Sequence, residues 1–299
     1  MVKKIVLSAK ESELIKSIRE RLNEEENIDL ISHDPTIDFL NLRNLPKQFR
    51  NVNLLVVKVR NECSIDLLYF AKIHNIPTLH DIDTVLICKN KVALDQTFRN
   101  ILPKYPKELS SFAIPYSWTQ SLRDAEKFKN WAKSKLPFVI KSHNQHDKYN
   151  RFNFLVRKLE EIDDFRKKYS IFLYYNVYIQ KFIECDGIER KINVVGDKIF
   201  GTQRENPIYY WLRKRPESIN VKTFKREKFE ISDEMKKLAE ILSKELKLKL
   251  FNIDLLKPLN EDCYYIVDLN DFPGYLGIKN IDIVITNFIK NYVNLIENY

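Results

Sequence analysis

Apolar positions along the chain switch repeatedly between the spacing of strands and that of helices. Residues 3–9 read as a strand, and Leu14, Ile18 and Leu22 recur at helical spacing. A second strand follows at 28–32. Residues 51–59 (NVNLLVVKV) form a near-continuous apolar run of the kind buried on both faces in a parallel sheet. A helix at 65–75 and a strand at 76–81 complete a small lobe of alternating strands and helices.

Residues 81–102 read as one helix with Lys89 and Lys91 near its middle, and a lobe boundary is expected near residue 90. Residues 103–118 read as a connector and strand, 124–136 as a helix and 137–142 (PFVIKS) as a strand. The run 171–183 (IFLYYNVYIQKFI) is β-prone throughout. Residues 191–205 have the form of two strands joined by a turn at Gly196 and Asp197. Ser232 caps a helix whose face is Met235, Leu238, Ala239, Leu242 and Leu246. That helix leads to the strands 251–256 (FNIDLL) and 263–271 (CYYIVDLND), the turn FPGYLG and an amphipathic closing helix over 281–298. The fold class expected is therefore α/β.

Composition is that of a globular protein, with 44% hydrophobic and 30% charged residues. The longest apolar run is short of the roughly 20 residues that span a bilayer, so membrane insertion is not expected. An amino terminus without a long apolar core or cleavage site and four scattered cysteines point to a cytoplasmic protein with reduced thiols. The net charge of +9 favours anionic partners: nucleic acid, membrane headgroups or a polyphosphorylated small molecule. Of the five glycines the first is Gly187, which removes any P-loop or GxGxxG turn from the amino-terminal half.

Acidic residues late in apolar strands carry the candidate chemistry. Asp268 and Asn270 are two apart in an extended run and leave the same face, and Asp254 sits at matching depth in the preceding strand. Three oxygens converging there suit Mg²⁺, which substrate phosphates usually complete. The plainer alternative makes Asp268 and Asn270 the end of a strand and start of a turn, but it leaves Asp254 as a buried carboxylate without a role. Lys141, ending a buried strand, fits a phosphate clamp or an ordinary snorkelling lysine. Lys10, Lys58 and Arg60 lie at strand ends that face the crevice of such a lobe, where each lysine fits a ligand contact or an ordinary solvated surface charge. His143 and His146 occupy a polar loop, as general bases, substrate contacts or solvated side chains. The basic, aromatic segment 211–228 reads as a solvated surface, a loop over an anionic substrate or a single-strand nucleic-acid surface.

Lys141, the segment Ile179–Ile183 and the later Asp and Asp-x-Asn together resemble an ATP-grasp nucleotide site. The likeness sharpens to the inositol 1,3,4-trisphosphate 5/6-kinase (inositol-tetrakisphosphate 1-kinase) family. It is carried by Ile179–Arg204, Phe251–Leu256 and Tyr265–Ile278, of which Asp-x-Asn-x-Phe-Pro-Gly-Tyr-x-Gly is the most specific. The resemblance implies an ATP-grasp fold in three parts: an amino-terminal lobe over 1–88, a central lobe over 89–180 and a carboxyl-terminal lobe over 181–299. It implies ATP and two Mg²⁺ ions as cofactors, with Asp254, Asp268 and Asn270 as metal ligands. Lys141, with Lys89 or Lys91, would contact ATP phosphates, and Gln180, Phe182 and Ile183 would form the adenine hinge. Lys191 and Arg204 would bind substrate phosphates and act, with Asp268, in catalysis. Lys10, Lys58, His146, Asn270 and the Gly274 amide would complete the substrate site.

The implied activity is phosphoryl transfer from ATP to a hydroxyl of an inositol phosphate. The alternatives are a carboxylate-amine ligase on the same fold and a basic binding module, with nucleic acid the less expected partner. The chain departs from the family pattern in its 142–151 loop and at Cys185, which stands where the family has a histidine after the hinge.

Overall fold

A computed structural model describes residues 2–38, 40–143, 152–214, 216 and 219–296. The first lobe holds β1 (Lys3–Ser8), α1 (Glu13–Asn23), β2 (Ile28–His33), β3 (Leu54–Val57), α2 (Glu62–Ile73) and α3 (Ile82–Lys89). Its three strands form a parallel sheet in the order β2-β1-β3. All four β3 residues are buried, as the continuous apolar run requires. The strand expected at 76–81 shrinks to a bridge between Leu55 and Thr78. Pro77 has no N–H to extend a ladder; its carbonyl accepts from the Leu55 amide at 2.7 Å.

The single helix expected over 81–102 is two helices, α3 and α4 (Lys91–Ile101), broken at Asn90. Asn90 is extended (φ −110°, ψ 112°), and its side-chain oxygen accepts from the Val92 and Ala93 amides at 3.0 Å each. Asparagine caps a helix better than it continues one, and capping prevailed over the apolar periodicity. Lys89 and Lys91 therefore end one helix and begin the next.

The central part contains β4 (Phe112–Ala113), β5 (Ser117–Ser121), α5 (Ala125–Ala132), β6 (Phe138–Lys141), β7 (Asn153–Val156), α6 (Glu160–Lys168) and β8 (Asn176–Lys181). Strands β5-β8-β6-β7 make an antiparallel sheet whose core includes Phe128 of α5 and Ile162 and Phe165 of α6. The β-prone run from 171 opens as a 3-10 turn, Ser170–Tyr174, in which Phe172 packs edge-on against Phe152. Extended structure starts only at Asn176.

The remaining elements are β9 (Cys185–Val195), β10 (Lys198–Glu205), α7 (Pro207–Lys214), β11 (Glu227–Lys228), α8 (Asp233–Glu245), β12 (Leu250–Pro258), β13 (Tyr264–Asp271) and α9 (Ile281–Leu295). They build a six-stranded sheet in the order β11-β10-β9-β12-β13-β4. Helix α8, capped by Ser232, buries Met235, Leu238 and Leu242 in one core with Ile192, Val194, Ile253 and Leu255 of the sheet. Leu94, Phe98 and Ile101 of α4 share that core, so residues 88–112 pack with the carboxyl-terminal sheet. Helix α9 packs with α1 and β1 in a second core, and Arg21 Nε reaches Asp282 Oδ2 at 2.7 Å.

Helix α7 is an element the sequence reading did not give; its last four residues begin the basic segment 211–228. Asn206 accepts from the Ile208 amide at 2.9 Å and Pro207 opens the first turn, together the chemistry of a helix start. No described helix is long and apolar enough to cross a membrane, and the four cysteines are free thiols.

Glycine matters most at Gly201 on β10, where an added Cβ would stand 2.3 Å from the Phe229 carbonyl oxygen. Gly201→Ala is expected to destabilise the fold by about 2 kcal/mol, as overpacking against backbone does. Urea denaturation reads this directly; an unchanged midpoint would refute the close seating of the 229–231 segment on β10.

Candidate functional site

Side-chain alternation on β9, β12 and β13 sends Ile192, Val194, Ile253 and Leu255 toward α8 and leaves the polar set on the opposite face. Register then aligns that set. Arg204 lies opposite Glu189, Lys191 opposite Asp254, and Asp254 opposite Asp268. One rung further, Asn193, Asn252 and Asn270 are aligned. Arg204 donates Nε at 3.0 Å and Nη2 at 2.7 Å to Glu189 Oε1, and Lys191 Nζ stands 3.0 Å from the same oxygen. Lys191 also pairs with Asp254 Oδ2, and Lys91, delivered by the break at Asn90, pairs with Asp268 Oδ1. Isolated buried carboxylates would be costly, so the row persists because each acid has a cation.

Electrostatics ranks the members. Burial pushes Asp254 up to about 6; Lys191 opposes this, while the neighbouring Glu189 and Asp268 charges add to it. Burial also works against the Lys191 ammonium, but two acids face it and hold its proton more firmly than in an ordinary lysine. Asp254 shares that one cation with Glu189 and is the harder of the pair to ionise. For Asp268, burial is outweighed by Lys91 and Lys141, which hold it below the usual carboxylate range.

These residues fit a hard cation. Asp254 Oδ1 is buried with no hydrogen-bond partner. The Asn270 amide nitrogen donates to Asn252 Oδ1 at 3.1 Å, leaving the Asn270 oxygen for another role. Among the described residues no three His, Cys, Asp or Glu side chains are grouped to hold an ion. The donor set is thus two carboxylates and an amide oxygen, the kind that Mg²⁺ completes with water and substrate phosphates.

Beside this row, Lys141 Nζ donates to Gln180 Oε1 at 2.7 Å, and burial with repulsion from Lys91 lowers its pKa to about 8. Phe182 stacks on Tyr209 of α7, with ring centroids 5.8 Å apart. The Tyr209 hydroxyl accepts from the Cys185 amide at 2.7 Å and donates to the Ile183 carbonyl at 3.4 Å, fixing the segment expected to be the hinge.

The other expected contacts are placed differently. Lys89 pairs with Asp271 at the end of β13. Lys58 is buried and donates to the Phe272 and Pro273 carbonyls, the latter at 2.6 Å, so its ammonium secures the turn. Burial, with repulsion from Arg60, holds its pKa well below that of an ordinary lysine. Lys10 is exposed just beyond β1. A Cβ on Gly274 would meet only Leu276, at 3.8 Å, so its backbone is open to a ligand. The strained backbone belongs to Phe272 (φ 36°) and Tyr275 (φ 50°) beside it. His146 lies outside the described residues.

Within the described part of the basic segment, Arg226 and Lys225 find partners in the segment itself. Arg226 donates to the carbonyls of Val221, Lys222 and Phe224 at 2.8–3.1 Å, and Arg204 Nη1 donates to Val221 at 3.2 Å. Phe224 packs on Tyr210, and Trp211 lies under Arg157.

Glu189 and Tyr209 were not anticipated from the sequence. Glu189, two before Lys191 in a strand, was available from alternation alone; nothing local in the sequence marks Tyr209. Lys91→Met, which strands Asp268 partly buried, is expected to cost about 3 kcal/mol, and Lys91→Met/Asp268→Leu to recover most of it. Chemical denaturation of both variants checks this, and a single variant as stable as wild type would contradict the pairing.

Comparison with known proteins bears on these residues. Residues 217–291 match the family model of the inositol 1,3,4-trisphosphate 5/6-kinase ATP-grasp domain, a stretch that includes Asp254, Asp268, Asn270 and Gly274. Inositol-tetrakisphosphate 1-kinase 2 of Oryza sativa subsp. indica is 40% identical over 58 residues, 19% of this chain and 17% of that protein. Inositol-tetrakisphosphate 1-kinase 4 of Glycine max is 26% identical over 167 residues, 46% of this chain and 49% of that protein. The chain thus matches at most about half the length of these relatives.

Whole-chain likeness is to ATP-grasp structures. A RimK domain ATP-grasp protein from Sphaerobacter thermophilus superposes with TM-score 0.69 at 13% identity, covering 97% of this chain and 99% of that one. D-alanine–D-alanine ligase from Bacillus anthracis gives 0.68 at 15% identity, covering 100% and 99%. The chain has the ATP-grasp fold, and its residues 217–291 are similar to the inositol 1,3,4-trisphosphate 5/6-kinase ATP-grasp domain.

Proposed function

We propose that the protein is a kinase that transfers the γ-phosphoryl group of ATP, with Mg²⁺, to a hydroxyl of an inositol phosphate. The observation that carries this reading is the crowding of Lys91, Lys141, Lys191 and Arg204 around the face that bears Asp254, Asp268 and Asn270. Phosphoryl transfer to a hydroxyl requires mainly positioning and neutralisation of charge, with no covalent nucleophile. A cluster of cations beside hard oxygen donors supplies both.

In this reading Asp254, Asp268 and Asn270 would hold two Mg²⁺ ions, which supply charge neutralisation on the phosphates when bound. Lys141 and Lys91 would bind the nucleotide phosphates, and Gln180 with the Phe182–Ile183 backbone would hold the adenine. Lys191 and Arg204 would orient the acceptor's phosphates and steady the transferred group. The open Gly274 backbone and Lys10 would complete the acceptor side.

The competing reading is a carboxylate-amine ligase acting through an acyl phosphate, an activity the fold also houses. A single carboxylate needs fewer cations than this face gathers, which favours the polyanionic acceptor.

Two outcomes follow. ADP formation should be stimulated by inositol phosphates, and Asp268→Ala should lower it at least about 100-fold, in the range seen when one preorganised charge is removed. ADP formation that ignores inositol phosphates but responds to amino acids would sink the proposal. The Lys141 ammonium must be charged to bind phosphate, and its pKa is lowered to about 8. Nucleotide affinity should therefore be level from neutral pH up to that value and fall above it, by up to about tenfold per unit. Lys141→Arg should remove the fall; titrations between neutral and alkaline pH check this, and an identical profile for the variant would argue against Lys141 as the phosphate contact.

A further inference from the structure

Behind Lys141 and Gln180 runs a buried chain of hydrogen bonds whose other members, Asp95 and Tyr178, have no role in the reading above. Asp95, on α4 and 5% exposed, accepts from Arg99 Nε at 2.7 Å, from Ser117 Oγ at 2.6 Å and from the Tyr178 hydroxyl at 2.8 Å. Tyr178 is buried on β8, and its oxygen accepts from Gln180 Nε2 at 3.2 Å. Gln180 Oε1 in turn accepts from Lys141 Nζ at 2.7 Å.

The donor and acceptor inventory fixes the direction of this chain. An ionised carboxylate only accepts, so the single phenolic proton must go to Asp95. The Tyr178 oxygen then offers only lone pairs toward Gln180, which commits the Gln180 nitrogen to Tyr178 and the Gln180 oxygen to Lys141. Burial and the adjacent Asp95 charge raise the Tyr178 pKa, so the proton stays in place across the working range. A charge on one helix thereby decides which end of an amide meets an ammonium three groups away.

We propose that Asp95 and Tyr178 are positioning residues that orient the Gln180 amide and, through it, aim Lys141 at the phosphates of a bound nucleotide. The inference rests on the nucleotide reading of this site. Asparagine at position 95 could donate, freeing the Tyr178 proton for the Gln180 oxygen. The amide would then turn its NH2 toward Lys141, setting donor against donor.

The test has two arms. In the nucleotide-free protein, the Gln180 side-chain amide resonances, identified by their loss in Gln180→Glu, report the relay by nitrogen-proton NMR. They should move in Asp95→Asn and Tyr178→Phe, and stay in Gln96→Ala, which removes a bond to Asp95 Oδ1, the oxygen that does not take the Tyr178 proton. Resonances that move in none of these, or equally in all three, overturn the relay.

The second arm is a double-mutant cycle on MgADP affinity by calorimetry. Asp95→Asn and Tyr178→Phe should each weaken binding about tenfold in the wild-type background and have no further effect in Lys141→Met. Equal losses in both backgrounds would show that they act independently of Lys141 and would overturn the proposal. Wild-type protein that fails to bind MgADP would overturn the nucleotide reading instead, while the amide resonances still decide the relay.

Discussion

Two carboxylates on adjacent strands, Asp254 and Asp268, sit side by side on one sheet face, and much of the surrounding structure answers to that crowding. Neither is fully hydrated, and each raises the cost of ionising the other. Lys191 reaches Asp254 from the neighbouring strand because the β9–β12 register places them opposite. Lys91 reaches Asp268 because Asn90 ends one helix and starts another. Glu189 draws Arg204 and Lys191 into the same row. Slipping any one of these strands by one residue would turn its member of the row into the apolar layer under α8.

The same arrangement connects stability with chemistry. Lysines that neutralise carboxylates in the free protein are also the groups suited to nucleotide and acceptor phosphates, and the acids they would release are oxygen donors for a divalent ion. Binding of a metal-nucleotide complex would exchange one set of opposite charges for another at nearly constant net charge, which keeps the cost of opening each pair small. The turn after β13 is held in place: Lys58 donates to the Phe272 and Pro273 carbonyls, and left-handed backbone at Phe272 and Tyr275 flanks Gly274.

Legibility in the sequence followed the range of the interactions. The α/β pattern, the cap at Ser232, the hairpin at Gly196 and the shared face of Asp268 and Asn270 depend on neighbours within a few residues, and all were readable. The break at Asn90 was missed because apolar periodicity runs through it, although Asn followed by a helix is itself a local signal. Pro77 likewise marked the stub that stood in for a strand. The partners of Lys89 and Lys58, and the Lys141 partner of Gln180, come from residues far along the chain, and no spacing rule reaches them. Asp95 and Arg99 are four apart on a helix and could have been read as a pair; that the pair supports Tyr178 could not.

The central claim is that the cationic face serves phosphoryl transfer to a hydroxyl. Phosphorus NMR of the protein incubated with ATP, Mg²⁺ and a panel of inositol phosphates tests it most directly. The account predicts a new phosphomonoester resonance on one of the inositol phosphates, equal in amount to the ADP formed. ADP accompanied by an equal amount of inorganic phosphate, with every inositol phosphate unchanged, would contradict it.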